Sequence, residues 1–209
     1  GAGKASAESG AVRFRIVSRG DDDGAASPAA GGRRGLLDKA VKFVVLKVAT
    51  KIVDAVLPRL VLAFEQRHWA QRGLSEGWFH VTRDTLASGR LVPGVPPPAA
   101  GRSLLLLHGT FSHAVGAFGE LANTDFFARI AARYGDRVYA YNHFTLSRTP
   151  EENARALLAA LPAGTQTFDV ISHSRGGLVL RHLVERAGAL GRDARRFALG
   201  HGILVGVPN

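Results

Sequence analysis

Phe168-Asp169-Val170-Ile171-Ser172-His173-Ser174-Arg175-Gly176-Gly177-Leu178 decides how the rest of the chain is read. Apolar residues at 168, 170 and 171 form a short β-prone run. It ends at a serine among small residues and passes directly into a helix-prone segment starting at Arg175. Holding a hydroxyl at the tip of a strand–helix turn requires a strained backbone, and close strand–helix packing demands little or no side chain two positions either side. Gly176 meets that demand after Ser174. Ser172 stands before it, with a side chain that is small but not absent. The helix beginning at Arg175 points its free N–H groups at the turn and favours negative charge there. Ser174 is therefore the candidate nucleophile, and His173 beside it is expected to point away.

Upstream, Leu104-Leu105-Leu106-Leu107 is a continuous apolar run ending in His108-Gly109-Thr110. Continuous rather than alternating apolar residues suit a strand buried on both faces, as in a parallel sheet. Acyl transfer needs donors aimed at the oxyanion of a tetrahedral intermediate. The backbone N–H groups of Arg175, following the nucleophile, and of Thr110, following His-Gly, are the natural pair. His108 is expected to brace that loop.

Between and around these motifs, strands and helices alternate. Strands are expected at residues 78–81, 104–107, 137–141, 167–172 and 202–207, and helices at 118–133 and 175–189. A further helix opens at Thr149-Pro150-Glu151-Glu152, with Thr149 as N-cap, Pro150 at the first helical position and Glu152 closing a capping box. The expected class is α/β: a doubly wound, mostly parallel sheet joined by right-handed crossovers. It occupies residues 74–209. Residues 1–35 read as an edge strand (12–17), a solvated turn at Asp21-Asp22-Asp23 and a flexible linker. Residues 36–73 read as a long amphipathic helical segment with Pro58 kinking or dividing it. That segment is expected to lie across the domain or form a dimer seam, with contact to a membrane surface or protein through residues 36–72 as the other reading.

The pair Leu104–Thr110 and Ser172–Gly177, in this order within a βα pattern, resembles the α/β-hydrolase superfamily, and within it bacterial lipase- or esterase-like enzymes. The resemblance covers residues 74–209 and leaves out residues 1–73. It implies a serine hydrolase that cleaves a carboxylic ester of a small molecule or lipid through an acyl-enzyme on Ser174, without a cofactor. In this superfamily an acid and then a histidine follow the nucleophile. The acids after Ser174 are Glu185 and Asp193; the histidines are His182 and His201. None is placed at the C-terminal end of a strand, so the triad's acid and base are expected beyond Asn209, and residues 1–209 alone are expected to turn over little ester. The alternatives are a non-catalytic hydrolase-like binding or scaffold module, and an acyltransferase or thioesterase using the same turn.

His108, His113 and His143 are expected on loops near this site but lack metal-ligand spacing. Phe111, Phe118, Phe126, Phe127 and Phe144 read as an acyl pocket or, more simply, as core. The absence of Cys excludes disulfides, thiol nucleophiles and Cys-ligated metals. Net charge is +10, yet it is spread along the chain. Of 27 basic residues only five are Lys, all at or before Lys51. Diffuse Arg-rich charge without a stripe argues against a nucleic-acid partner. No signal peptide is seen, and Lys42, Lys47, Lys51 and Asp54 interrupt every candidate span of the ~20 apolar residues a membrane helix needs. A cytoplasmic location is the expectation.

Overall fold

The computed structural model describes residues 58–97 and 101–208, together with the backbone of residues 50–57. The expected strand at 12–17, the acidic turn, the linker and residues 36–49 of the expected helix lie outside the described residues. The chain divides into two compact units, Gly1–Leu57 and Pro58–Asn209, and the sheet belongs to the second.

Six strands form one sheet in the order β2-β1-β4-β3-β5-β6. They are β1 (Gly77–His80), β2 (Val92–Pro93), β3 (Ser103–Leu107), β4 (Val138–Asn142), β5 (Gln166–His173) and β6 (Phe197–Val205). Strands β4, β3, β5 and β6 run parallel, while β1 is antiparallel to both β2 and β4. The sheet is thus mostly parallel. The helices are α1 (Thr50–Gln71), α2 (Arg83–Ser88), α3 (Ala114–Phe118), α4 (Phe126–Tyr134), α5 (Pro150–Ala159) and α6 (Arg175–Glu185).

The leucine run explains the layering. Side chains alternate across a strand, so Leu105 and Leu107 enter one core with Leu157 and Leu158 of α5 and Val179, Leu180 and Leu183 of α6. Leu104 and Leu106 enter the other, with Leu86 of α2, Ala114 and Phe118 of α3 and Tyr134 of α4. Helices therefore cover both faces of the sheet. All five residues of β3 are buried. Each such leucine contributes roughly 1.5–3 kcal/mol by leaving water.

Local chemistry sets several boundaries. Thr149 Oγ1 accepts from the Glu152 N–H at 3.2 Å, and the Glu152 carboxylate accepts from the Thr149 N–H at 2.7 Å. Pro150 at the first helical position completes the start of α5. The same device opens α2, where Thr82 and Thr85 cap each other; a six-residue helix is too short to show periodicity, and it was not anticipated.

The single helix expected over residues 118–133 is instead α3, a 3₁₀ turn at Gly119–Asn123 and α4. Extended Thr124 interrupts it, its hydroxyl oxygen accepting from the Phe126 N–H at 3.2 Å. Helix α6 stops at Glu185, and a 3₁₀ segment at Ala187–Arg196 replaces its expected last turn. Strand β6 begins at Phe197 rather than residue 202. Its register against β5 shifts between Phe168 and Val170, and Gly200 and His201 fall within that irregularity. His201 is accordingly inside the last strand, not before it. Pro58 lies within α1 without ending it.

From Pro58 onward, α1 does not sort into an apolar buried face and a polar exposed one. It buries Glu65 and Trp69 while Leu60 and Phe64 are 61% and 42% exposed. Among the described residues no helix is long and apolar enough to cross a membrane.

Candidate functional site

Strand order fixes where a site belongs. From β3 the chain crosses to β4 on one side, then returns over β3 to β5 on the other. Open α/β sheets bind ligands at the C-terminal ends of the strands flanking such a reversal. The residues there are His108-Gly109-Thr110 after β3 and Ser174 after β5.

Ser174 links β5 to α6 with φ 50° and ψ −124°, a left-handed backbone for a residue with a Cβ. Only one other non-glycine among the described residues has a positive φ: Phe111 at 56°, four residues after β3. Such conformations cost of order 1–3 kcal/mol and cluster at functional sites. Ser174 is half-buried, and no group among the described residues hydrogen-bonds its hydroxyl. Its N–H donates to Val205 O at 2.8 Å.

Two glycines make the turn geometrically possible. A Cβ on Gly176 would sit 2.6 Å from His108 O and closer still to Leu107 O. These are backbone atoms that cannot swing aside, so the start of α6 lies hard against the end of β3. A Cβ on Gly109 would sit 2.8 Å from the Ser174 Cβ. The loop after β3 and the serine are therefore in contact. Ser172 is accommodated because its hydroxyl, fully buried, donates to Ile203 O on β6 at 3.3 Å. His173 is exposed.

The Arg175 N–H is the first of α6, and neither it nor the Thr110 N–H has an acceptor among the described residues. His108 aims the second of these. Its Nε2 accepts from the His143 N–H at 3.1 Å, which leaves the proton on Nδ1 to donate to Gly109 O at 2.9 Å. In a trans peptide the C=O and N–H point in opposite directions. Pinning the Gly109 carbonyl toward His108 turns the Thr110 N–H of the same peptide the other way. The next peptide is held too: the Phe111 N–H donates to Thr145 Oγ1 at 3.1 Å.

His108 and His143 are fully buried and stack with ring centroids 4.1 Å apart. Burial lowers the His108 pKa from 6.5 to about 4, against the opposing hydrogen bond to Gly109. Burial and the neighbouring ring hold His143 well below its ordinary value. Both are neutral structural rings here. His113 caps α3, accepting from the Gly116 N–H at 3.4 Å. Burial also draws the Arg175 guanidinium down, with Glu65 opposing; it donates to Arg148 O.

Glu65 is the site neighbour that sequence reasoning missed. A lone glutamate on a helix of mixed character gives no signal. Its carboxylate, 3% exposed, accepts from the backbone of Thr145, Leu146 and Ser147 at 2.7, 3.2 and 2.9 Å. Trp69, one helical turn on, packs edge-on to Phe144 and lies 6.3 Å from the His108 ring. Glu65 lies before residues 74–209, the span of the sequence resemblance, yet it braces the loop that follows β4.

Of the five phenylalanines, Phe118 is buried in the core and Phe126 and Phe127 pack against it, while Phe144 lies under Trp69. Phe111 alone is open, at 68% exposure. The acids expected to be unsuitable are engaged elsewhere: Glu185 with Arg181 and Asp193 with Arg196.

Asp169 anchors a second polar cluster, five residues before Ser174 and thus ~16 Å along the strand. Buried at 4% exposure, it accepts from Tyr134 Oη at 2.6 Å and from the His201 N–H at 2.7 Å, with Arg133 at 3.0 Å. Burial alone would raise its carboxyl, but the bonds from Tyr134 and His201 and the charge of Arg102 outweigh burial and hold it below its ordinary value. His201 is occupied there and faces away from Ser174.

The fold and site together describe a mostly parallel α/β domain with a strained serine at its strand reversal. The chain belongs to the family described as a domain of unknown function, DUF7379, which it matches over residues 76–209. Neither the curated proteins nor the solved structures contain a match to it.

Proposed function

We propose that this chain carries the nucleophile and oxyanion donors of an α/β-hydrolase-type serine hydrolase acting on a carboxylic ester. The observation that carries the reading is Ser174 at φ 50°, wedged between Gly109 and the N-terminus of α6. Relaxed serines do not sit there, and the unengaged N–H groups of Thr110 and Arg175 lie on the two segments that meet at it.

In this reading Ser174 Oγ attacks the ester carbonyl and its proton passes to a base. The carbonyl oxygen becomes an oxyanion held by the Thr110 and Arg175 N–H groups, each donor being worth about 3 kcal/mol in the transition state. The alcohol leaves with the transferred proton, and water then releases the acid from Ser174. The base comes from outside the described residues, since His108 has both ring nitrogens on backbone partners and His143 is buried against it with Nδ1 facing Tyr141 O. Exposed Phe111 beside the site suits an apolar acyl group. One observation favours a second reading, a hydrolase-like binding module: no described histidine touches the Ser174 hydroxyl.

Fluorophosphonate labelling of the intact protein separates the two. Labelling that disappears in Ser174→Ala is the expected result. A folded parent left unlabelled refutes the hydrolase.

A further inference from the structure

We propose that Glu65 on α1 is a positioning residue for the Ser174 site, acting through Thr145 on the loop that carries the Thr110 N–H. This rests on the hydrolase reading above. Three consecutive backbone N–H groups, those of Thr145, Leu146 and Ser147, converge on the Glu65 carboxylate, joined by Ser147 Oγ at 2.6 Å and Thr145 Oγ1 at 3.4 Å. A carboxylate is retained in a dry place only when so fully hydrogen-bonded. The convergence sets the direction of the Thr145 hydroxyl. That group has one proton, and Glu65 takes it; its lone pairs then face the Phe111 N–H, which donates to them at 3.1 Å.

The consequence falls on Thr110. Its two flanking peptides are each clamped from a different element. His108 pins the Gly109 carbonyl, and Thr145 pins the Phe111 N–H. Phe111, a bulky residue at φ 56°, would relax out of the left-handed region if released. Relaxation there rotates the peptide joined to Thr110 and moves the donor off the oxyanion. Misplacement by about 1 Å is enough to cost ~100-fold in rate. Glu65 thereby becomes a working part of the site, although its carboxylate is spent on residues 145–147 and does not touch the reacting atoms.

The test compares Thr145→Val, which keeps the shape and loses the hydroxyl, with Thr145→Ser, which keeps the hydroxyl, and with Glu65→Gln. The readouts, taken on the intact protein, are the saturating rate and half-saturating concentration of fluorophosphonate labelling at Ser174, and hydrogen exchange over residues 109–113. Thr145→Val should slow the saturating rate about tenfold or more, with little change in half-saturation, and speed exchange at Phe111. Thr145→Ser should restore most of the rate, and Glu65→Gln should behave as the valine variant does. A Thr145→Val or Glu65→Gln protein that labels at the parental rate overturns the proposal, as does equal slowing in the serine variant or unchanged exchange at Phe111. A parent that never labels overturns the hydrolase reading itself and this one with it, so the two failures are told apart.

Discussion

Lowering the pH from 7 to 5 should strip about 2 kcal/mol from the folding free energy through His108 alone. Its ring is buried with both nitrogens committed to backbone, and its pKa falls from 6.5 to about 4 on folding. Between those values the unfolded chain binds a proton that the folded chain refuses, so stability rises with pH across the window. The contribution is complete above pH 6.5 and is lost progressively as pH falls toward 4. Its full size is about 3 kcal/mol, from roughly 1.36 kcal/mol per pKa unit, and about two-thirds is gone by pH 5. His143 and His113 are shifted the same way by burial and steepen the loss. Glu76 opposes it: burial raises its pKa despite Arg148, so protonating it favours the folded form near and above pH 4.5. Asp169, held below its ordinary value, contributes its own loss only at lower pH. Urea titrations at half-unit steps from pH 7 to 4.5, with NMR observation of the imidazole protons, measure the effect. A flat stability profile between pH 6.5 and 5, or a His108 ring titrating near 6.5, would refute the reasoning.

Two packing predictions follow from distances and burial. Gly176→Ala forces a methyl group against the carbonyls of Leu107 and His108. We expect a loss of about 3 kcal/mol, seen as a fall of roughly 10 °C in Tm, with slower Ser174 labelling; an unaltered Tm would show that the two backbones have room to part. Leu106→Ala, at a position with 0% exposure, should cost about 2–5 kcal/mol by urea denaturation. Leu60→Ala, 61% exposed, should stay within about 0.5 kcal/mol, and equal losses in the two would contradict the assigned burial.

The parts legible in the sequence were those written in local chemistry. Four consecutive leucines announce a strand covered on both faces, and Thr149, Pro150 and Glu152 announce a helix start; both appear as read. The contact between residue 109 and Ser174 follows from the same logic, because two motifs at the C-terminal ends of neighbouring parallel strands must meet. What sequence concealed depended on distant partners. Gly200 and Gly202 masked the first half of β6, since a strand interrupted by glycine looks like a loop until Asp169 is seen filling the space beside it. The break at Thr124 had a local sign, the cap-forming run Asn123-Thr124-Asp125, which the apolar spacing from Phe118 to Ile130 overrode. Glu65 was invisible because its role comes from backbone groups some eighty positions away, with no side-chain pattern to betray them.

Phe111 and Ser174 carry a further consequence. Both occupy backbone geometry in which glycine would rest without strain, so exchanging either for glycine removes an unfavourable conformation from the native state. A laboratory selection for heat resistance alone would be drawn to these two codons. It would return a sturdier protein that has lost the Ser174 hydroxyl and the exposed Phe111 ring.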